Sequence, residues 1–194
     1  MASRRAVRKP LSVREHSRRA PEEHMVARFP RLFSLLARSV ARLPPESRIR
    51  QAMIWRATEQ ALAATNRRDF AAVLPRYDPE VEFFPARELA SVGIAASYRG
   101  RDGYLSLWED WDSAWAGHAQ WEPRELIDLG DRLLMLGKMS GTGDASRIAV
   151  DTEIAVLWTL ENGKVIREEQ FLDPAEVLEA VGLRPSAGRA APLT

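Results

Sequence analysis

The chain has no cysteine and only three histidines, His16, His24 and His118. Without cysteine it has no disulfide, no thiolate metal site and no cysteine nucleophile, and a reducing compartment suits it. Three histidines so far apart leave little for a histidine-rich metal site. Chemistry that depends on thiols or on clustered imidazoles is therefore not expected.

Long apolar runs are also lacking. The best candidate, residues 32–40, is interrupted by Arg38, so no segment is long enough to cross a membrane. The start of the chain has neither an uninterrupted apolar core nor a small-residue cleavage site, which argues against a secretory signal. An Arg-rich start that is poor in acidic residues is also typical of a transit peptide. That alternative stays open beside the cytoplasmic localisation that we expect.

The net charge of +1 hides a marked asymmetry along the chain. Residues 1–50 hold 13 Arg or Lys and 4 Asp or Glu, whereas residues 51–194 hold 15 and 23. A basic arm thus precedes an acidic domain. We expect no nucleic-acid partner, because the acidic domain does not continue the positive face of the arm and aromatic residues do not alternate with basic ones.

The arm divides into two parts by its pattern. Residues 1–27 show no period and are predicted to be disordered. Over residues 29–43 apolar residues recur at helical spacing with arginines among them, which predicts a basic amphipathic helix. This helix either lies on an acidic membrane or, as we favour, packs on the domain. We therefore expect a partly disordered extension over 1–46, a domain over 47–183 and a disordered tail over 184–194.

Within the domain the hydrophobic period is first helical and then alternating. The pattern predicts helices over 45–66, 70–74 and 102–115, with Asp102 as the N-cap of the third, and a short strand over 81–84 after a turn at Asp78-Pro79. Strands follow over 120–129, 131–141, 148–160 and 165–172, and Pro174 begins a final helix after its N-cap, Asp173. Helices followed by a meander predict an α+β fold, a curved antiparallel sheet wrapped around three helices with a hollow at its open end.

Three segments resemble SnoaL-like proteins of the nuclear transport factor 2-like superfamily, which includes polyketide cyclase and ketosteroid isomerase-like domains. They are ATNRRDFAAVLPRYDPEVEF, YRGRDGYLSLWEDW and AVLWTLENGKVIREEQFLDPAEVLEAVGL, within residues 48–183. The resemblance implies a cone of about six strands around three helices, a deep apolar pocket and a homodimer packed through the sheet. The superfamily contains enzymes and non-enzymatic binding domains, so the fold does not settle the function.

The ketosteroid isomerase machinery does not carry over to this chain. The position of its base is Phe83, the position of its oxyanion tyrosine is Ala61, and its second oxyanion donor maps near Ala155, or near Glu153 if the strand slips by two residues. That reaction needs a base and buried donors, and two of the three groups are missing. We do not expect steroid isomerisation by that mechanism.

Three residues are candidates for acid–base catalysis: Glu153, Glu168 and His118. The isomerase alignment places Glu153 inward on the third long strand, and Glu168 and Gln170 inward on the fourth. A carboxyl group among apolar walls has a raised pKa and can act as acid or base. The alternative is that these charged residues face solvent. His118 precedes a strand and is either an acid–base group near neutral pH or a surface histidine.

Aromatic residues are the main candidates for substrate binding. Trp108, Trp111 and Trp115 form one helical stripe that, with Tyr98, either walls a pocket for a flat polycyclic ligand or packs as ordinary core. Phe83 and Gln170 complete the predicted substrate-binding set.

Two functional hypotheses follow. The first is an enzyme or enzyme-like protein that acts on a small hydrophobic polyketide-, steroid- or terpenoid-like molecule by acid–base chemistry, without a metal or organic cofactor. The second is a non-catalytic ligand-binding or dimerisation domain. A buried carboxylate or histidine in the hollow would favour the first. In a third interpretation, the arm tethers the domain to a membrane or a partner.

Overall fold

The computed structural model describes residues 6–12, 19–115, 119–142 and 149–183, without the side chains of residues 149 and 150. Its helices are α1 (Pro21–Arg28), α2 (Pro30–Ala41), α3 (Arg48–Asn66), α4 (Phe70–Val73), α5 (Gly100–Ala114) and α6 (Pro174–Ala180), with short 3-10 segments at Leu74–Arg76 and Arg87–Val92. Its strands are β1 (Val7–Pro10), β2 (Tyr77–Phe84), β3 (Tyr98–Arg99), β4 (Gln120–Asp128), β5 (Arg132–Thr142), β6 (Ala149–Glu161) and β7 (Lys164–Phe171).

The strands form one curved, unclosed sheet in the order β1-β4-β5-β6-β7-β2-β3. All neighbours are antiparallel except β2 and β7, which run parallel. β2 and β3 precede the meander in the chain and extend the sheet beyond β7, its last strand. The predicted α+β class and the β4–β7 meander are confirmed. The described part of the chain has seven strands rather than about six, because the arm adds β1.

The ends of the helices follow local signals in most cases. The Ser47 hydroxyl accepts from the Arg50 N–H to cap α3, and Asp173 accepts from the Ala175 N–H at 2.9 Å to cap α6 as predicted. The prediction for Asp102 is wrong, because α5 already begins at Gly100, whose φ of 70° turns the chain directly from β3 into the helix. Asp102 lies in the first turn instead.

The predicted disorder of residues 1–27 is wrong over two segments. Val7–Pro10 pairs antiparallel with the edge strand β4, and Pro21–Arg28 is helix α1. A sheet edge offers unpaired backbone groups to any extended segment that reaches it, so this strand needs no hydrophobic period of its own. The predicted amphipathic helix is confirmed as α2, and it packs on the domain, where it contacts α3 and β7.

Two hydrophobic clusters lie on opposite faces of the sheet. The main core fills the inner face, between the sheet and α3, α4 and α5. A smaller cluster lies on the outer face under α6 and includes Ile127, Leu157 and Val177. The hollow must therefore be sought on the inner face, where the helices leave part of the sheet uncovered.

A β-bulge sets which residues of β7 face inward. Leu160 pairs with Val165 across the Asn162-Gly163 turn, but the next pair is Thr159 with Arg167. Ile166 is thus an extra residue in β7, and it shifts the pairing register of everything beyond it by one. Trp158 then lies opposite Glu168 on the inner face.

A buried ion pair fixes the end of α2 against the sheet. The Arg50 guanidinium donates to both carboxylate oxygens of Asp128, at 2.7 and 2.9 Å, and also to the carbonyl oxygens of Ala41, Leu43 and Gly130. Both charged side chains are essentially inaccessible to solvent. Because all these acceptors converge on one guanidinium, Arg50 ties the chain after α2, the start of α3 and the β4–β5 turn into one unit.

None of the helices in the described ranges combines the length and the apolar character needed to cross a bilayer.

Candidate functional site

A cavity of about 400 Å³ lies between helices α1, α2 and α3 and the inner face of the sheet. Helix α2 forms one wall with Phe33, Leu36 and Val40, and the sheet contributes Leu133 and Trp158. Most of the other lining side chains are apolar as well. The polar lining residues are Glu22, Arg56, Thr58, Gln60, Thr65, Arg76 and Tyr77. A largely apolar cavity with a few convergent polar groups is the usual form of a small-molecule site.

Tyr77 links this cavity to a buried carboxylate. Its hydroxyl donates to Glu168 Oε2 at 2.8 Å. The indole N–H of Trp158 donates to the same oxygen at 2.8 Å, and Gln170 Nε2 donates to Glu168 Oε1 at 3.1 Å. All four side chains are buried. Glu168 thus sits one layer behind the cavity wall, held by three donors.

Burial has the largest effect on the pKa of Glu168. It raises the pKa of Glu168, although the donors from Trp158, Gln170 and Tyr77 act in the opposite direction. Burial and the nearby Glu168 charge also raise the pKa of Tyr77 well above its ordinary value, so Tyr77 keeps its proton. The Tyr77 hydroxyl still has lone pairs, so it can accept a proton from a bound molecule while it passes its own proton to Glu168.

Arg76 is the second unusual polar group of the cavity. It is only 8% exposed, and its Nη1 donates to the carbonyl oxygen of Ala72. The guanidinium carbon lies 5.3 Å from the ring centroid of Phe33 on α2, so a cation–π contact covers it. Its Nε and Nη2 are buried without a hydrogen-bond partner among the described residues. Burial lowers the pKa of Arg76 to about 10, which leaves it cationic at neutral pH.

The structure separates the predicted catalytic residues. Glu168 lies on the inner face together with Gln170, as predicted. The prediction that Glu153 points into the hollow is wrong, because its side chain is 48% exposed on the outer face and pairs with Arg124 at 2.9 Å. Ile154, Val156 and Trp158 occupy the inner face of β6, so Glu153 faces outward by simple alternation. The bulge at Ile166 acts on β7, where it allows Glu168 rather than Arg167 to follow Val165 on the inner face. His118 lies outside the described residues.

The predicted aromatic wall is core. Trp108, Trp111 and Trp115 are buried and contact one another and Trp121 at centroid distances of 6.1 to 6.2 Å. None of the three lines the 400 Å³ cavity. Their stripe packs in the inner-face core with Trp121 of β4, whereas the cavity is lined by α1, α2, α3 and other residues of the sheet.

The remaining predicted binding residues also lie away from the cavity lining. Phe83 packs against Tyr77 and Tyr104, with ring centroids 5.4 and 5.3 Å apart. Tyr98 accepts from the Ala95 N–H at 2.8 Å and donates to Asp110. Phe83 therefore supports Tyr77 from behind, and Tyr98 forms a separate tyrosine–carboxylate pair.

The sequence pattern does not reveal Arg76, Tyr77 and Trp158 as site residues. The Asp78-Pro79 pair indicates a turn, whereas β2 already begins at Tyr77 and its register with β7 shifts between Tyr77 and Glu82. For Trp158, alternation along β6 leaves the choice of face open. The useful signal would have been the parallel pairing of β2 with β7, which no local pattern reveals.

Over the described ranges, no group of three or more His, Asp and Glu side chains could hold a metal ion.

Comparison with known proteins agrees with this architecture. The family profile described as SnoaL-like domain matches residues 58–168, more than half of the chain. No curated protein matches. A structure of TerC co-crystallised with polyporic acid is 22% identical, with a TM-score of 0.55, and the match covers 66% of this chain and 96% of that one.

Two further solved structures share the fold. A nuclear transport factor 2-like protein from Burkholderia thailandensis is 26% identical over 67% of this chain and 96% of its own, with a TM-score of 0.54. One of unknown function from Burkholderia pseudomallei is 22% identical over 65% of this chain and 95% of its own, with a TM-score of 0.56. With the profile match and the curved sheet taken together, the chain belongs to the SnoaL-like family of the nuclear transport factor 2-like superfamily.

Proposed function

We propose that the protein binds a small hydrophobic molecule in the cavity beneath α2 and transfers a proton on it through the Tyr77–Glu168 pair. The observation that carries this proposal is the 2.8 Å hydrogen bond between a tyrosine that lines the cavity and a fully buried carboxylate behind it. A polyketide-, steroid- or terpenoid-like ligand suits the largely apolar lining. The reaction class is isomerisation, cyclisation or hydrolysis by acid–base catalysis, without a metal or organic cofactor.

Each residue has a defined part in this mechanism. Tyr77 is the group that meets the ligand, and as it accepts a proton its own proton moves to Glu168 Oε2. In the reverse direction Glu168 returns the proton through Tyr77. Trp158 and Gln170 hold the carboxylate in place by their hydrogen bonds. The apolar walls keep water away from the bound ligand during the transfer, and the pair exchanges its own proton with solvent between binding events.

The proposal is tested by measuring whether the protein catalyses hydrogen–deuterium exchange at a carbon atom of a ketone that binds in the cavity. Ligands found by screening polycyclic and terpenoid ketones for binding are incubated with the protein in deuterated buffer and analysed by mass spectrometry. We expect wild-type protein to place deuterium at an acidic carbon of a bound ligand. Tyr77→Phe and Glu168→Gln should slow this exchange by about 10²–10⁴-fold, the usual contribution of one general acid–base group.

The chain offers a matched control in its second tyrosine–carboxylate pair. Tyr98 donates to Asp110 but lies outside the cavity lining, so Tyr98→Phe should leave the exchange rate unchanged within about twofold. Binding without exchange in the wild-type protein would favour a non-catalytic ligand-binding domain. Exchange that survives both cavity variants would exclude the Tyr77–Glu168 pair as the proton carrier.

A further inference from the structure

Arg76 is a buried cation that lacks part of its hydrogen bonds within the described part of the protein. One of its nitrogens donates to Ala72, and the other two, Nε and Nη2, have no hydrogen-bond partner among the described residues. Buried polar groups in folded proteins are nearly always hydrogen-bonded, and an unpaired buried charge is among the costliest arrangements. A side chain kept in this state beside a cavity therefore indicates an acceptor that the protein itself does not supply.

Two carboxylates near the cavity pair with arginines other than Arg76. Glu23 lies close enough to act electrostatically on Arg76, but its Oε2 accepts from Arg67 at 2.7 Å and from the Ala20 N–H at 2.9 Å. Glu22 also lines the cavity; its Oε1 pairs with Arg56 at 3.2 Å, and its Oε2 is buried without a partner among the described residues. Neither forms an ion pair with Arg76, so these carboxylates do not use the hydrogen-bonding capacity of its Nε and Nη2.

We infer that Arg76 is an anion subsite of the cavity and that the natural ligand is a hydrophobic molecule carrying a carboxylate. The two unpaired nitrogens, Nε and one Nη, belong to the edge of the guanidinium that can donate two parallel hydrogen bonds to one carboxylate. Phe33 covers the guanidinium from α2, so a carboxylate bound there would be largely shielded from water, which strengthens the pairing. This inference rests on the proposed function and narrows its ligand class.

The test compares a carboxylate with the neutral alcohol of the same carbon skeleton. Decanoate and decanol are titrated at pH 7 into the full-length protein, and binding is followed by calorimetry and by tryptophan fluorescence, since Trp158 lines the cavity. We expect wild-type protein to bind decanoate about tenfold to a hundredfold more tightly than decanol, as one charge-assisted pair gives. Arg76→Met should abolish that preference and leave decanol affinity within about threefold.

Two further variants complete the experiment. Arg124→Met removes the same charge outside the cavity, on the outer face of the sheet where the side chain is 54% exposed, and should keep the preference for decanoate because solvent screens this charge. Arg76→Lys keeps the charge but not the two-pronged geometry, and should retain part of the preference. It also provides a second reading if Arg76→Met fails to fold, as judged by circular dichroism.

The outcomes separate this inference from the proposed function. Equal binding of decanoate and decanol by the wild-type protein, or an unchanged preference in Arg76→Met, overturns the anion subsite and leaves an apolar site in place. If the protein binds neither probe, the proposed ligand-binding function fails and the subsite falls with it.

Discussion

Glu168 shows how a single buried carboxylate is held in the interior of this protein. Three donors, from Tyr77, Trp158 and Gln170, converge on its two oxygens. The Gln170 Oε1 is buried without a partner among the described residues. If Glu168 takes up a proton on Oε1, a flip of the Gln170 amide would present this oxygen as its acceptor, so both protonation states can be accommodated.

The raised pKa of Glu168 has a consequence for stability. The folded protein holds this proton to a higher pH than the unfolded chain, whose glutamate has a pKa of about 4.3. At pH values between the pKa of the unfolded chain and the higher pKa of the folded protein, the folded state binds more protons. In this pH window Glu168 makes the free energy of unfolding fall as pH rises, by at most about 1.4 kcal/mol per pH unit. Glu168→Gln should remove that contribution from urea unfolding curves measured across the window.

The matched control for this measurement is Glu153→Gln. This glutamate lies exposed on the outer face of the neighbouring strand, so the variant reports the effect of removing a carboxylate without touching the interior. A Glu168→Gln protein with the same pH slope as the wild type would show that the buried carboxylate is not held protonated to higher pH.

At the scale of elements, the contact between α2 and the β6–β7 turn closes one side of the cavity. Asn162 and Gly163 have φ values of 51° and 77°, the arrangement that an Asn-Gly hairpin turn requires. Gly163 also lies directly against the backbone of α2, where an added Cβ would come within 2.5 Å of the Ala37 carbonyl oxygen and 2.6 Å of the Arg38 nitrogen. The glycine thus serves both the turn and the seating of the helix.

A comparison of Gly163→Ala with Gly182→Ala separates the effect of the positive φ from the effect of the close approach of α2. Gly182 has a φ of 72° but has no atom within 4 Å of an added Cβ. Gly182→Ala should therefore lose only the backbone preference, roughly 1–2 kcal/mol of unfolding free energy. Gly163→Ala should lose about 1–3 kcal/mol more, because α2 must move away from the turn. Chemical denaturation gives both values, and limited proteolysis within α2 reports the displacement.

Equal losses in the two glycine variants would contradict the close approach of α2 to the turn. A larger loss at Gly163 with unchanged proteolysis of α2 would place the strain in the hairpin instead.

At the scale of the whole molecule, the N-terminal arm is part of the folded unit. Strand β1 pairs with β4, and Arg50 holds the carbonyl groups at the end of α2. The exposed side of the arm is apolar in places, with Phe29 and Leu35 more than half exposed. Contact of this surface with a membrane, and the homodimer through the sheet, stay predictions.

Deletion of residues 1–44 tests the structural part of the arm. Because α1 and α2 wall the cavity, we expect their removal to expose its apolar lining, raise the fluorescence of the neutral dye Nile red and lower the melting temperature. Deletion of residues 1–18 removes β1 but keeps both helices, and should change dye fluorescence far less. A protein lacking residues 1–44 that melts and binds dye like the full chain would show that the arm does not close the cavity.

The local pattern of the sequence determined the elements of this protein. Alternation predicted β4–β7, the helical period predicted α2 and α3, and Asp173 and the Asn-Gly pair marked a cap and a turn, because each of these signals acts between residues close in the chain. Glu168 and Gln170 could be placed inward by their resemblance to family members, although alternation alone left the choice of face open.

Contacts between elements that are distant in the chain select the residues that form the site. One extra residue, Ile166, places Glu168 and Gln170 on the same inner face as Trp158, and no composition or period reveals a bulge. The arm forms β1 because the edge of β4 is open to pairing, and its helices α1 and α2 form a wall of the cavity against α3 and the sheet. Arg76 and Tyr77 acquired their surroundings from α2 and β7, which are distant in the chain, so their chemistry follows from packing between elements rather than from any local signal.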